Sequence, residues 1–426
     1  METYRPFEDN AEYRRIVAEL LDRLGVIPEP FRSLIGQTLR ELMKMLEESR
    51  YPRFAILGRR GAGKTMLMHA IFGEPVGEIG PVRAQTGATR WRFYQGVDER
   101  GMHILDTRGL QEGARPVEHD AASTPEDSIL NAFEGCMPDA ILFLVKAKEV
   151  NAAIDGDLTR LEQILGAIRT QYGARPAVIG IVTQCDELDP SYIKTEKQRR
   201  ERPDKWAEKQ TYIAQAAADL ERHFKRYKAL GEVGYILPIS AHVCFRPDGT
   251  AEPESDYRWN IDTLLNLLIE QLPSESQLQF ARIARMRHYQ EQVARRIVHL
   301  VCGAAGAVGA APIPMADLPI LTAMQIFMVM MIAYISGRPF SLESARDLLI
   351  AAGVNMGAGY MLRELARGFI KLVSLAGLFV SGGIVTAAGA ATTGALAAAG
   401  TKAIGEAAIA YFIRGAKVFG PVRKVA

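Results

Sequence analysis

An α/β fold built on a doubly wound, mostly parallel sheet is predicted for the middle of this 426-residue chain, with an α-helical hairpin before it and an all-α hydrophobic region after it. Three observations predict it. From Arg53 onward, short apolar runs alternate with helical stretches, the pattern of parallel strands joined by crossover helices. A Gly-rich turn follows the first of those runs and leads straight into a helix. Beyond about residue 275 the alternation gives way to two stretches without a charged side chain, 318–337 and 372–401. The expected regions are therefore an N-terminal helical segment over 1–50, the α/β domain over 51–275 and a hydrophobic helical domain over 276–426.

Taken in order, residues 10–49 place apolar side chains at helical spacing, with a proline-containing break at 28–30, and read as a helical hairpin that packs as an accessory element. FAILG is then a buried strand, TRWRFYQGV and GMHILD a hairpin, and DAILFLVKA, RPAVIGIVTQCD and VGYILPISA the remaining strands. Helices are expected at 64–72, 126–137, 152–171, 204–229 and 260–271. QLQFARIARMRHYQEQVARRIVHL reads as one basic amphipathic helix, followed by the Gly/Ala/Pro-rich VCGAAGAVGAAPIPMADLP.

Composition sets outer bounds. With 48% apolar and 23% charged residues the chain has ample core material for two or three domains. A formal net charge of +2 gives no reason to expect a nucleic-acid partner. Cys136, Cys185, Cys244 and Cys302 lie far apart with no CxxC pair, which suits a reducing cytoplasm rather than a disulfide or zinc framework. The polar start METYRPFEDNAEYRR has no signal-peptide core.

The chemistry-bearing motifs fall where the predicted strands end. Gly58-Arg59-Arg60-Gly61-Ala62-Gly63-Lys64-Thr65 matches GxxxxGK[ST] between a strand and a helix, the arrangement whose backbone N–H groups cradle phosphates. Gly58, Arg60, Gly61, Ala62, Gly63, Lys64, Thr65 and Met66 are the expected phosphate-binding run, with Lys64 reaching the β- and γ-phosphates and Thr65 ligating Mg²⁺. Asp106-Thr107-Arg108-Gly109 ends the strand GMHILD as a DxxG element, with Asp106 expected to hold Mg²⁺ through water and the Gly109 amide to touch the γ-phosphate. A further Mg²⁺ ligand is expected from Thr86 or Thr89, with Thr89 preferred because it adjoins Arg90 at the hairpin strand. Thr183-Gln184-Cys185-Asp186 closes the strand AVIGIVT, and the Asp186 carboxylate can accept from both guanine donors, which adenine does not offer. Ser240-Ala241 follows YILPI, where the Ala241 amide can meet the guanine carbonyl.

In this order the motifs resemble those of the Era-like bacterial GTPases and their septin-related neighbours, with GRRGAGKT, DTRGL, TQCD and SA standing for GxxxxGKT, DTPGL, [NT]KxD and SA. The resemblance covers 53–272 and implies a P-loop NTPase G domain, Mg²⁺·GTP as ligand and slow hydrolysis to GDP. Gln184 stands where the family carries a lysine whose stem covers the base, and Leu110 where Ras-type enzymes place a water-orienting glutamine. Gly61 replaces the asparagine of potassium-activated relatives and resembles septin P-loops, many of which pair across their nucleotide faces. One reading is therefore a homodimer through the G domain, with Arg59 or Arg60 available to the transition state; the other is that both arginines are solvated side chains and an outside activator supplies the missing group. Downstream, Pro312 to Pro319, Gln325, and Thr401, Ile404, Gly405, Ala407, Tyr411 and Phe412 resemble the hydrophobic YcjF-type domain.

Two readings of that domain stay open. The uncharged stretches are long enough to cross a bilayer, and the basic segments 282–296 and 414–424 could meet anionic lipid at the inner membrane through 300–420. Alternatively, Gln325, Pro319 and the small residues of 372–401 mark interior helices of a soluble domain, in a switch that recruits a protein partner with little hydrolysis. His69 is expected to pack rather than react, and 194–210 to form a solvated helical insertion.

Overall fold

The computed structural model describes residues 6–7, 10–24, 29, 31–78, 90–96, 100–106, 125–133, 136–152, 154–173, 175–310, 317–351 and 390–415. They fall into two compact units, one spanning 51–284 and the other combining 4–50 with 285–426.

Helices α1 (Ala11–Leu24) and α2 (Phe31–Glu47) come first in the chain and belong to the second unit. The first unit is a seven-stranded sheet of β1 (Arg53–Gly58), β2 (Gly77–Glu78), β3 (Arg90–Gln95), β4 (Gly101–Asp106), β5 (Ala140–Lys146), β6 (Ala177–Thr183) and β7 (Gly234–Pro238), in the order β2-β3-β4-β1-β5-β6-β7. Strands β4, β1, β5, β6 and β7 run parallel, while β3 is antiparallel to β4 and β2 to β3. The fold is thus the doubly wound, mostly parallel sheet expected from the alternation, with β2 as a short edge strand that the sequence pattern did not reveal.

Parallel strands are covered by helices on both faces, which is why β1 and β5 are almost continuous apolar runs rather than alternating ones. The helices of this unit are α3 (Lys64–Phe72), α4 (Pro125–Phe133), α5 (Asp155–Tyr172), α6 (Glu196–Glu201), α7 (Pro203–Arg226), α8 (Lys228–Val233), α9 (Ile261–Gln271) and α10 (Ser274–Ile283). One core cluster joins Leu57, Leu105 and Phe143 of the sheet to Leu158, Leu161 and Ile164 of α5 and to Leu220 and Phe224 of α7. The charged insertion forms α6 and the start of α7, and Thr195 caps α6 through a reciprocal box with Gln198.

The second unit adds α11 (Arg287–Ala310), α12 (Asp317–Ile335), α13 (Leu342–Ala351) and α14 (Ala390–Ala408), the last running into a π-helical turn at Ile409–Ile413. The single basic helix expected over 277–300 is two helices: α10 ends at Ile283, and Arg285 adopts a positive φ of 50° before α11 begins. α11 then continues through the Ala-rich stretch, where Ala304, Ala305 and Val308 are buried and supply the packing that Ala propensity alone does not.

α12 coincides with the first uncharged stretch. Its side chains from Met324 to Ile335 are all buried, with α1, α11, α13 and α14 as neighbours. Gln325, the polar residue of that run, donates to Thr401 Oγ1 of α14 at 3.0 Å. Phe7, Tyr13, Phe327, Tyr334 and Phe340 form an edge-to-face aromatic cluster near one end of α12. Among the described residues no helix is long and apolar enough to cross a membrane; residues 372–389 of the second uncharged stretch lie outside them.

Candidate nucleotide site

The site is built at the C-terminal edge of the parallel strands. β1 ends at Gly58, in the middle of the sheet, where a side chain would collide with the Leu144 carbonyl of β5, since a Cβ there falls 2.7 Å from that oxygen. The chain then turns, with Ala62 N–H donating to Arg59 O at 3.1 Å, and enters α3 through Gly63, whose φ of 90° is left-handed. Leu67 N–H donates to Gly63 O at 2.9 Å, so helical bonding begins at once. Lys64, Thr65 and Met66 form the first turn of α3, Thr65 is exposed, and that turn carries no acidic residue to offset the positive end of the helix.

The two P-loop arginines differ. Arg59 is held by Asp157 in the first turn of α5, Nε to Oδ2 at 2.8 Å, and also donates to Ala152 O at 3.2 Å. Asp157 is only 5% exposed, so Arg59 forms part of the scaffold that ties the P-loop to α5 rather than a spare cation. Arg60 is exposed.

The loop after β6 is fastened to the P-loop by two side chains. Thr183 Oγ1 donates to Ala62 O at 2.9 Å, and Gln184 Nε2 donates to Gly61 O at 2.7 Å. Gln184 has a φ of 57°, which lets the chain fold back into a 3-10 turn at Cys185–Glu187 that contains the buried Asp186. Cys185 N–H donates to Ile239 O at 3.2 Å, joining this loop to the end of β7. There Ser240 and Ala241 are buried, and Ser240 exchanges backbone hydrogen bonds with Trp259 at 3.1 and 2.9 Å. The strand ends thus bring Gly58, Gly61, Ala62, Gly63, Lys64, Thr65, Thr183, Gln184, Asp186, Ser240 and Ala241 to one edge.

Lys209 is a member of this arrangement that the sequence reading missed. It reaches from α7 to donate to Asp186 O at 2.6 Å and to Pro190 O at 3.3 Å. Burial pulls its pKa down to about 8, against the opposing pull of Asp186. A signal was present: Lys209, Ile213, Ala216 and Leu220 share one helical face, and the last three are buried. Burial likewise pushes the Cys185 thiol up to about 12, which leaves it without thiolate chemistry. His69 packs edge-on against Phe245, and burial lowers its pKa.

For Mg²⁺, the residues expected from the sequence are Thr65 and Asp106, residue types that carry the oxygen donors a hard cation takes. Asp106 is the last residue of β4 and in register with Ile56 of β1, so it stands at the same sheet edge as the P-loop. Thr86, Thr89, Gly109 and Leu110 lie outside the described residues. Beside the P-loop a polar pocket of about 240 Å³ opens between Gly61, Lys146, Lys148, Glu149, Gln184 and Glu187.

A central strand feeding a glycine turn and a helix N-terminus, with a second strand-end loop bonded to that turn, defines a P-loop nucleotide-binding domain. Residues 53–182 match the model of the 50S ribosome-binding GTPase family, and residues 275–424 match that of a domain of unknown function (DUF697). The chain is 31% identical over 143 residues to YfjP of Escherichia coli (strain K12) and 29% identical over 143 residues to YkfA of the same organism, in each case over 33% of this chain and 44% of the relative. It is 35% identical over 92 residues to GTPase Der of Chromobacterium violaceum, 19% of either chain. It therefore spans less than half the length of these relatives. The solved structure of Era with MgGDPNP and a 16S ribosomal RNA fragment aligns over 53% of this chain and 58% of that one, at 19% identity and a TM-score of 0.28. The chain thus carries a P-loop domain similar to the 50S ribosome-binding GTPase family, followed by a region similar to DUF697.

Proposed function

We propose that the chain binds Mg²⁺·GTP at this edge and hydrolyses it slowly to GDP, the nucleotide state setting the behaviour of the C-terminal helical unit. The observation that carries the reading is the pair of bonds from Thr183 and Gln184 to the carbonyls of Ala62 and Gly61. They link the loop bearing Asp186 to the phosphate loop, so one ligand with a base and phosphates can engage both. Lys64 and the amides of Gly61 to Met66 would receive the phosphates, and Asp186, Ser240 and Ala241 the guanine edge. Thr65, Thr89 and Asp106 would hold Mg²⁺, which supplies charge neutralisation at the phosphates when bound. Gly109 would meet the γ-phosphate, and Leu110, unable to orient water, accounts for slow turnover.

For the C-terminal unit, the buried state of α12 favours a self-packed helical domain, and three of the arginines offered to lipid have acidic partners. Arg295 pairs with Glu406 at 2.8 Å, Arg296 with Glu41 at 3.0 Å, and Arg414 with Glu291 at 2.7 Å. These contacts favour a helical unit packed on itself over one that inserts in a bilayer, which is compatible with the alternative of a GTP-dependent switch that recruits a protein partner.

Calorimetry with GTP and ATP tests the nucleotide assignment. GTP should bind and ATP should not compete. Asp186→Asn should weaken GTP by about 1.5–3 kcal/mol per lost contact and admit xanthosine nucleotides, while Lys64→Ala should abolish Mg²⁺-dependent hydrolysis in a folded chain. Equal affinity for ATP, or wild-type hydrolysis by Lys64→Ala, refutes it.

A further inference from the structure

We propose that Lys146 is a nucleotide-binding residue whose alkyl stem and ammonium form the wall of the base pocket that Gln184 does not supply. The proposal rests on the GTP-binding reading and assigns a residue that none of the motifs contains.

Lys146 is the last residue of β5 and stands in register with Thr183, so two adjacent parallel strands deliver it and Gln184 side by side at the same edge. Both converge on one glycine. Gln184 Nε2 is committed to the Gly61 carbonyl at 2.7 Å, while Lys146 Cε and Nζ each lie 3.5 Å from where a Cβ on Gly61 would sit. The Lys146 side chain is 26% exposed, so its stem is packed against protein while part of it faces the pocket. Glu149, one 3-10 turn further on, fixes the ammonium at 2.9 Å.

A purine presents a flat apolar face and a polar edge. Asp186 is suited to the edge, but the amide of Gln184 is held by the P-loop and carries no charge. An ammonium bonded to one carboxylate keeps two further N–H donors, and its stem offers methylenes to a ring face. A cation beside an aromatic face adds a favourable electrostatic contact. Lys148, the other cation of this pocket, has its side chain 59% exposed and only a 4.0 Å contact with Glu187, so it lacks this anchoring. The pocket therefore has its lysine on β5 instead of at position 184.

The test titrates the full chain with N-methylanthraniloyl-GDP in five forms: wild type, Lys146→Ala, Lys146→Met, Gln184→Lys, and the double variant Lys146→Ala/Gln184→Lys. Lys146→Ala should raise Kd roughly 10- to 100-fold, and Lys146→Met, which keeps most of the stem, should raise it less. Gln184→Lys should recover most of the loss in the Lys146→Ala background, a rescue that a merely structural role for Lys146 would not produce. Thermal melting without nucleotide checks folding, and if Lys146→Ala fails to fold, Lys146→Met and its double variant with Gln184→Lys carry the comparison. A folded variant with a Kd within about threefold of wild type, or no recovery in the double variant, overturns the assignment of Lys146 alone. A wild-type chain that binds no guanine nucleotide overturns the GTP-binding reading and this assignment with it.

Discussion

Lys209 shows how a single buried side chain shapes the loop after β6. Its ammonium bonds two carbonyls, Asp186 O and Pro190 O, and so holds the turn that presents the Asp186 carboxylate. Its pKa in the folded protein, about 8, lies below the ordinary 10.5. At pH values below about 8 the lysine is charged both folded and unfolded, and the full cost of burying the charge is present. Between the two values the folded chain has released a proton that the unfolded chain still holds, so stability rises with pH across that window. Lys209→Met lacks this dependence. The difference in unfolding free energy between wild type and Lys209→Met, measured by denaturant titration across that window, should therefore move in favour of wild type as pH rises. A difference that stays flat would show that Lys209 keeps its ordinary pKa.

At the scale of elements, the close approach of α11 and α14 depends on a missing side chain. A Cβ on Gly405 would fall 2.4 Å from Val298 Cγ2 and 2.8 Å from Val298 Cγ1, closer than packed atoms allow. Gly405→Ala should therefore force the helices apart, costing about 1–3 kcal/mol by overpacking, an effect larger than the gain in helix propensity. Val298→Ala in the same background should return part of that loss, because it removes the atoms that collide. Urea unfolding of the two variants decides the point, and a Gly405→Ala protein as stable as wild type would mean that the helices are not held this closely. Elsewhere in the same unit the Ala/Gly-rich sequence gives few large knobs, and burial of Ala304, Ala305 and Val308 indicates tight backbone packing in their place.

For the molecule as a whole, the question is whether the C-terminal unit meets lipid. The described part of α12 is covered by protein from Met324 to Ile335, and Arg295, Arg296 and Arg414 each face a glutamate within the unit. Surface ion pairs of this kind stabilise little, about 0–1 kcal/mol each, yet every such pair leaves one fewer uncompensated positive charge for an anionic membrane. Full-length chain mixed with phosphatidylserine-containing liposomes should stay in the supernatant with GTP, with GDP and without nucleotide. Nucleotide-dependent co-sedimentation would restore the membrane reading.

The sequence by itself determined the α/β alternation, because parallel strands buried on both faces must be short apolar runs, and it placed the phosphate and guanine motifs at their C-terminal ends because those motifs are local in the chain. It also marked Lys64, Thr65, Thr183 and Asp186 as the residues proposed to meet the nucleotide, because that proposal rests on residue type and spacing. Other features became visible only in the tertiary structure, since each depends on residues distant in sequence. Arg59 looked like a free cation until Asp157, 98 positions away, was found beside it. Lys146 and Lys209 belong to no motif, and strand register and a helix face bring them to the site. The break at Arg285 interrupts an apolar periodicity that continues on both sides, so pattern alone could not find it. As sequence, the uncharged stretch 318–337 matches the length of a membrane span, and only the helices packed around Met324 to Ile335 show where that apolar surface goes. Local motifs encode chemistry along the chain, whereas partners, burial and covered surfaces are set by which distant segments meet.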